Sequence, residues 1–306
     1  MFSFNIDRVH HTLKTEGCLG FAGKIFVYGG LYSPFSNFVT ATTYWRLAAV
    51  YRRWKHGKGL RKHGVSIDPF VYRWVSPDKI NEFTGRTKSK SNTDIGRIMD
   101  GDWDQQAGMS TDMYSSRSDI VLVEDHIIYQ SFRDHFQEDI PWSETELIQR
   151  VYKEIESGNR CWGSTSRSEV NERCERFDEL YETIKTDGYR TKRDLMGIDP
   201  NGWIVKLDPS VSRYGNQIDH VTRTGFNPVR GFTGIKGNEI LIDIGRDGKL
   251  LFVDGIHRLS IAKLLDLDKV PVTVLVRHSE WVQKLKKAQN SKRVLDHPDY
   301  RQLEST

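Results

Sequence analysis

The sequence predicts an α/β fold in which helices and strands are mixed. Residues 239–277 follow the pattern strand, turn, strand, helix, strand, and residues 144–188 contain two helical patterns. The 306 residues include 8 Trp, 12 Tyr and 14 Phe, which supply enough large apolar side chains for a core. A chain of this length has room for two domains of ordinary size.

The clearest strand signals lie in the last third of the chain. Residues 240–244 and 250–253 are apolar runs, and Gly245-Arg246-Asp247-Gly248 between them is a strong hairpin signal. Residues 257–265 have apolar positions at helical spacing, and residues 270–276 form another apolar run typical of a buried strand. Because a strand, a helix and a strand follow one another, we expect a crossover with its two flanking strands parallel.

Two helices are predicted in the middle of the chain. The first runs from Glu144 to Ser157 and is ended by Gly158. The second begins at Ser166 or Ser168, and Gly188 follows its end. Its apolar residues recur at i, i+3 and i+4, which indicates a packed face and not a ligand site.

Positive charge is concentrated near the N-terminus. Residues 17–67 contain eight basic residues and no Asp or Glu. The whole chain has a net charge of +4 and residues 1–16 are neutral, so residues 68–306 have a net charge of −4. A helix predicted from Thr42 to Trp54, ended by residues 55–59, carries much of this charge. Three interpretations stay open for it: docking on an anionic membrane surface, docking on nucleic acid, or an ordinary helix with a solvated edge. The candidate docking residues are Arg46, Arg52, Arg53 and Lys55.

Several protein classes are excluded by composition. No apolar run reaches the length of a membrane-spanning helix, and residues 1–16 lack the apolar core of a secretory signal, so we expect a cytoplasmic protein, peripheral at the membrane if the docking helix binds there. Three scattered cysteines suit neither a disulfide framework nor a zinc site. The acidic stretch of residues 100–104 lacks the Gly and Glu of a calcium loop and is interpreted as an acidic turn with a buried Trp103.

The turn Asp254-Gly255-Ile256-His257-Arg258 is the strongest candidate for chemistry. It joins a strand to a helix, where free backbone N–H groups and the helix dipole favour an anion. Gly255 permits a close backbone approach, and Arg258 can hold a phosphate through two hydrogen bonds. His257 would add an imidazole, and Asp254 could hold a metal ion or a hydroxyl. An alternative remains open in which Asp254 only caps the helix and Arg258 pairs with a carboxylate.

This turn resembles the signature of the ParB/sulfiredoxin superfamily, and the resemblance covers residues 202–277. Members of that superfamily have a D/G-G-x-H-R type motif, a helix, and a strand that opens with Val-Pro or Ile-Pro. The matching residues here are Phe252-Val253-Asp254-Gly255-Ile256-His257-Arg258-Leu259, Ala262-Lys263 and Val270-Pro271-Val272.

Two sequence differences narrow the choice within this superfamily. Ile256 stands where sulfiredoxin has its nucleophilic cysteine, and the few residues after Arg277 leave no room for the DNA-reading helices of partition proteins. The motif is therefore closest to the kinase-like members.

Kinase-like members bind nucleotides, so the resemblance implies a nucleoside di- or triphosphate held by Gly255, His257 and Arg258. It also implies phosphoryl transfer or nucleotide hydrolysis, with Mg²⁺ held by Asp254. The expected catalytic residues are Asp254, His257 and Glu239, with Asp243 a further candidate for the catalytic acid. The alternative function is a non-catalytic adaptor that senses a nucleotide and docks through residues 42–62.

The predicted organisation has three parts. Residues 1–67 form a basic, aromatic N-terminal segment with one helix, and residues 68–195 form a mixed α/β and helical region. Residues 196–306 form the ParB/sulfiredoxin-like nucleotide-binding domain that the resemblance implies.

Overall fold

The structure is a computed structural model. It describes Lys14 and residues 54–86, 94–105, 122–191, 239–291 and 296–304. The chain divides into two units, residues 1–55 with 193–234 and residues 56–192 with 235–306. Nearly all described residues belong to the second unit, and the fold below is that of this unit.

The second unit combines a mixed sheet with helices, which confirms the α/β class. The strands are β1 (Arg73–Val75), β2 (Ile80–Phe83), β3 (Arg97–Met99), β4 (Ile240–Ile244), β5 (Leu250–Asp254) and β6 (Val270–His278). The helices are α1 (Ile127–Phe136), α2 (Glu146–Glu156), α3 (Arg167–Asp187), α4 (Ile256–Leu264), α5 (Ser279–Ser291) and α6 (Pro298–Glu304), and residues 54–62 are also helical.

The strand order is β1-β6-β4-β5-β2, and β3 also pairs with β6. The antiparallel pairing of β4 with β5 confirms the predicted hairpin. Gly248 in its turn has a φ of +96°, a conformation that glycine adopts at low cost. The edge of β6 away from β4 is shared by β1, at residues 270–272, and by β3, at residues 276–278.

The predicted parallel crossover between β5 and β6 is wrong. β4 lies between these strands, antiparallel to β5 and parallel to β6, so β5 and β6 run in opposite directions. α4 therefore connects the end of β5 to the start of β6, and both lie at the same end of the sheet. The sequence pattern could not show this, because the position of β4 depends on a long-range pairing and not on local periodicity.

The sheet draws its strands from both sides of residue 195. β1, β2 and β3 come from residues 73–99, yet they pair with β6 and β5 in the same sheet. The described residues on the two sides of the expected boundary at residue 195 thus share one sheet and one unit.

The two predicted helices in the middle of the chain are confirmed as α2 and α3. The hydroxyl of Ser166 accepts the backbone N–H of Glu169 and so caps the start of α3, while Gly188 follows its end with a φ of +75°. α1, which the sequence analysis missed, packs against α4. Within the described residues, no helix has the length and apolar composition needed to cross a membrane.

The helix described over residues 54–62 does not end at Gly57 and Gly59 as predicted. It continues to residue 62 and ends in a turn at Gly64, where Val65 N–H donates to Leu60 C=O (3.0 Å) and Gly64 N–H donates to the carbonyl of Arg61 (2.9 Å). The backbone at Gly96 packs closely against this helix, and a Cβ at Gly96 would lie 2.5 Å from the carbonyl oxygen of His56. A Cβ at Gly59 would lie 3.4 Å from the Gly96 carbonyl oxygen.

Three buried clusters hold the unit together. One face of the sheet packs on α4 and α5, the opposite face packs on Phe70, Ile95 and Trp103, and the helices α1–α3 form a third cluster. α4 links the first and third clusters, because Leu259 faces the sheet and Ile261 faces the helices. This position makes α4 a central packing element as well as the start of the candidate site.

A fully buried carboxylate fastens the last helix to the sheet. Asp299 of α6 accepts hydrogen bonds from Arg277 on β6 (2.7 Å from both Nε and Nη2) and from Arg73 on β1 (3.0 Å), with Trp281 Nε1 at 3.3 Å. The two guanidinium groups hold the pKa of Asp299 far below its usual range. A buried charge is tolerated only when it is paired in this way.

Replacement of Asp299 by Asn should strongly destabilise the protein, because two buried arginines would lose their counter-charge. We expect a loss of about 3–5 kcal/mol in the free energy of unfolding, measured by urea denaturation. Asp296→Asn is the matched control: its exposed side chain pairs with the exposed Arg301, and little change is expected. Equal effects of the two substitutions would contradict the role given to Asp299.

Candidate functional site

The turn from Asp254 to Arg258 lies at the end of the sheet where β5 ends and where β4 and β6 begin. Asp254, the last residue of β5, is in register with Leu241 near the start of β4, and Ile240 pairs with Val272 near the start of β6. The turn leads directly into α4. Residues that follow β5, precede β4 or begin α4 are therefore brought together here.

Gly255 is required by the backbone of this turn. Its φ is +98°, in the left-handed region, and a Cβ there would lie 3.2 Å from Ile240 Cα and 3.5 Å from the carbonyl oxygen of Glu239. The side chain of Asp254 is exposed, and its Oδ1 accepts the N–H of Gly255 at 2.7 Å. Asp254 therefore stabilises the turn and is not the residue that caps α4, since Gly255 occupies the capping position.

The start of α4 has the features of an anion site. The first backbone bond of the helix joins Leu259 N–H to Gly255 C=O (3.1 Å), and no side chain of the capping residue accepts the N–H groups that precede it. Residues 255–258 are partly exposed, so this helix end can be reached from solvent. Its N–H groups and the helix dipole favour a negatively charged group.

Glu239 is placed beside the turn, as its proximity in sequence suggested. It immediately precedes β4 and is buried, and its Oε2 accepts a hydrogen bond from the hydroxyl of Tyr189 (3.2 Å). Arg258 Nη1 lies 3.9 Å from the same oxygen. Burial raises the pKa of Tyr189, so this hydroxyl stays protonated and remains a donor to the carboxylate.

His257 faces the aromatic cluster of the helices. Its ring stacks on Phe177 with centroids 4.8 Å apart, and Phe132 and Trp162 lie at 5.6 and 6.0 Å. Burial, together with the charges of Arg173 and Arg258, lowers the pKa of His257 to about 3. His257 is therefore neutral at pH 7 and adds no positive charge to the anion site that its sequence position suggested.

One atom of His257 stands out. Its Nε2 is buried and has no hydrogen-bond partner among the described residues. Buried polar groups are usually paired, and an exception calls for an explanation such as a bound molecule or ordered water.

Arg173 and Tyr189 are site residues that sequence reasoning missed. Arg173, on α3, lies over the ring of Trp162 at 5.1 Å and donates from Nη1 to the carbonyl oxygen of the same residue (3.1 Å). Its charge acts on His257, so it lies in the same electrostatic neighbourhood as Arg258. No local pattern marks either residue, because both reach the turn only through packing of distant segments.

Two other acidic candidates have structural roles. Asp243 is fully buried and accepts hydrogen bonds from Arg86 (3.0 Å) and Thr84 (2.9 Å), which commits its carboxylate to that ion pair. In the stretch of residues 100–104, Trp103 is buried and Asp104 binds Arg246 of the β4–β5 hairpin at 2.8 Å, which confirms an acidic turn with a buried tryptophan. The described residues contain no group of three or more His, Cys, Asp or Glu that could hold a metal ion.

The predicted docking residues and the cysteines are not part of the turn. Arg46, Arg52 and Arg53 lie outside the described residues, and Lys55 is partly buried. Cys161 and Cys174 are buried thiols, and burial raises the pKa of Cys174 to about 12, so its thiol is not a nucleophile at neutral pH. Cys18 lies outside the described residues.

Comparisons with protein families, with curated proteins and with solved structures gave no match to this chain.

Replacement of Gly255 by Ala should destabilise the protein through backbone strain and through contact with Ile240. The left-handed conformation alone costs a non-glycine residue roughly 1–2 kcal/mol, and the crowded Cβ should raise the loss in unfolding free energy above that. Gly158→Ala is the control, because Gly158 has a φ of +82° but no atom within 4 Å of its added Cβ. If both substitutions cost the same in urea denaturation, the close approach at Gly255 does not matter for the fold.

The low pKa of His257 should make stability fall in mild acid. An unfolded histidine binds a proton near pH 6.5 while the folded one stays neutral to about 3, so the stabilisation is complete above pH 6.5 and is lost as the pH falls below it. Between pH 7 and pH 5 this loss should be about 2 kcal/mol. Between pH 7 and pH 5, the unfolding free energy of His257→Phe should fall by about 2 kcal/mol less than that of the wild type. Parallel plots of unfolding free energy against pH for the two proteins would disprove the low pKa of His257.

Proposed function

We propose that the turn from Asp254 to Arg258 binds the phosphate groups of a nucleoside di- or triphosphate, in a domain of the ParB/sulfiredoxin-like type. The observation that carries this proposal is the accessible start of α4, with Gly255 as its cap and Arg258 on its first turn. Backbone N–H groups at a helix end bind phosphate without any catalytic apparatus. Arg258 adds a planar donor group that matches two phosphate oxygens.

Two arginines near the turn would attract a phosphate, and the carboxylates of Glu239 and Asp254 balance their charge. Arg258 and Arg173 both act electrostatically on His257, and the carboxylate of Glu239 lies 3.9 Å from Arg258. This ion pair is longer than a hydrogen bond, and a phosphate at the turn would compete with Glu239 for the guanidinium of Arg258. His257 would serve as a neutral hydrogen-bonding group and as a packing residue behind the site.

Asp254 is suited to bind a magnesium ion that the nucleotide phosphates also bind, rather than an ion held by protein ligands alone. Mg²⁺ at nucleotide sites commonly takes one or two carboxylates together with phosphate oxygens and water. Asp254 is exposed at the helix start, and its Oδ1 accepts the Gly255 N–H. A bound Mg²⁺ would neutralise phosphate charge, and Asp254 would be its protein ligand.

Phosphoryl transfer or hydrolysis would need a base, and Glu239 is the candidate that the geometry favours. Its carboxylate is buried beside the turn and is oriented by the hydroxyl of Tyr189. A neutral His257 with a pKa of about 3 is a poor base at pH 7. We propose that Glu239 accepts the proton of an attacking hydroxyl or water while Arg258 and the helix start hold the transferred phosphate.

A non-catalytic nucleotide sensor is the second candidate. The engagement of Glu239 with Tyr189 favours it, because a carboxylate held in an internal hydrogen bond is a weaker base. In this form, the same turn binds a nucleotide without turnover.

Arg258→Ala should weaken nucleotide binding more than tenfold, about 1.4 kcal/mol, because a charge-assisted contact is lost. Titration calorimetry with ATP, ADP and GTP, with and without Mg²⁺, measures this affinity. Arg97→Ala is the matched control, since Arg97 lies on β3 with an exposed side chain and should not change binding. Unchanged affinity in Arg258→Ala, or no nucleotide bound by the wild type, would refute the proposal.

Glu239→Gln separates the enzyme from the sensor. If Glu239 is the base, the variant should bind nucleotide with an affinity close to that of the wild type but lose phosphate release by at least about a hundredfold, as for the loss of a general base. Wild-type protein that binds nucleotide and releases no phosphate would favour the sensor.

A further inference from the structure

Two stretches that are far apart in sequence carry positive charge without any acid. Residues 56–67 and 281–291 contain no Asp or Glu. The six basic residues in these stretches are all exposed, and we call them together the basic surface. They are Lys58, Arg61, Lys62, Lys284, Lys286 and Lys287.

The two stretches adjoin each other in the folded unit. A Cβ added at Gly64 would lie 3.1 Å from Lys286 Nζ, so this lysine crosses the turn that ends the first helix. Leu60 and Leu285 belong to the same buried cluster beneath the surface. The helix that ends at residue 62 and α5 therefore present their lysines side by side on a rigid base.

We infer that the basic surface binds the phosphate backbone of double-stranded nucleic acid. Exposed lysines on a rigid surface neutralise successive phosphates, and the release of counterions supplies the affinity. Beside the lysines of α5, Gln283, Gln289 and Asn290 are exposed, and their amide groups can donate hydrogen bonds to phosphate oxygens. This inference does not depend on nucleotide binding at Arg258.

An anionic membrane is the competing partner. A bilayer surface favours lysines combined with apolar side chains that enter the headgroup region. Apart from its lysines, the exposed residues of α5 are polar, with Glu280 at its start, so the helix offers no apolar side chain to a bilayer. Trp54, one turn before Lys58 and 44% exposed, is the feature that would suit a bilayer, so anionic vesicles are the second probe of the experiment.

The test compares two triple variants with the same change in net charge. The surface variant replaces Lys62, Lys286 and Lys287 by Gln. The control variant replaces Lys153, Lys185 and Lys269, which are exposed on α2, on α3 and before β6. Fluorescence anisotropy measures binding to a labelled DNA duplex of mixed sequence at a series of salt concentrations, and flotation measures binding to vesicles that contain phosphatidylserine.

The wild type should bind the duplex, and the surface variant should bind more than tenfold more weakly. The slope of log affinity against log salt should become shallower by about 2 to 3, since each lost phosphate contact removes about 0.9. The control variant should stay within a factor of two of the wild type, and both variants should keep the wild-type unfolding midpoint. Equal losses in the two variants, binding to vesicles but not to duplex, or no duplex binding at about 50 mM salt, where such attraction is strong, would each overturn the inference.

Discussion

The pairing of β4 with strands on both of its edges is the constraint on which the rest of the structure depends. It runs parallel to β6 and antiparallel to β5, and so brings the end of β5 and the start of β6 to one edge of the sheet. This pairing brings the candidate turn, the first turn of α4 and Glu239 together at the same end of the sheet. A one-residue shift of β4 would turn Asp243 away from Arg86 and change which face of the sheet is buried.

Charged groups in this unit are used in two distinct ways. Asp299 and Asp243 are buried, and each is held by arginine at about hydrogen-bonding distance, 2.7 Å from Arg277 and 3.0 Å from Arg86. Two of these contacts join distant segments, since Arg86 and Asp243 lie 157 positions apart and Arg73 and Asp299 lie 226 positions apart. At the turn, Glu239 and Arg258 form a longer ion pair, 3.9 Å apart, and Arg258 is partly exposed.

Elements defined by local patterns could be predicted from the sequence, and elements defined by distant partners could not. The hairpin, α2, α3 and α4 each carry a turn, cap or periodicity signal within their own residues. The place of β4 between β5 and β6 depends on a pairing with residues about 32 positions away, and the partners of β1, β2 and β3 lie more than 140 positions away. At the site, Asp254, Gly255 and Arg258 follow from the motif, whereas Arg173 and Tyr189 reach it only through packing. The sequence also could not show that His257 faces an aromatic cluster and is neutral.

The Asp299 ion pair has a consequence for biosynthesis. β1 leaves the ribosome early, but its partner strand β6 follows almost two hundred residues later, and the carboxylate that neutralises Arg73 and Arg277 follows later still. Until β6 has emerged the sheet lacks its longest strand, and until residue 299 has emerged both guanidinium groups lack their counter-charge. Completion of this unit therefore waits for residue 299, and until then the nascent chain must hold its apolar strands in solution without aggregation, a stage at which chaperone contact would be most useful.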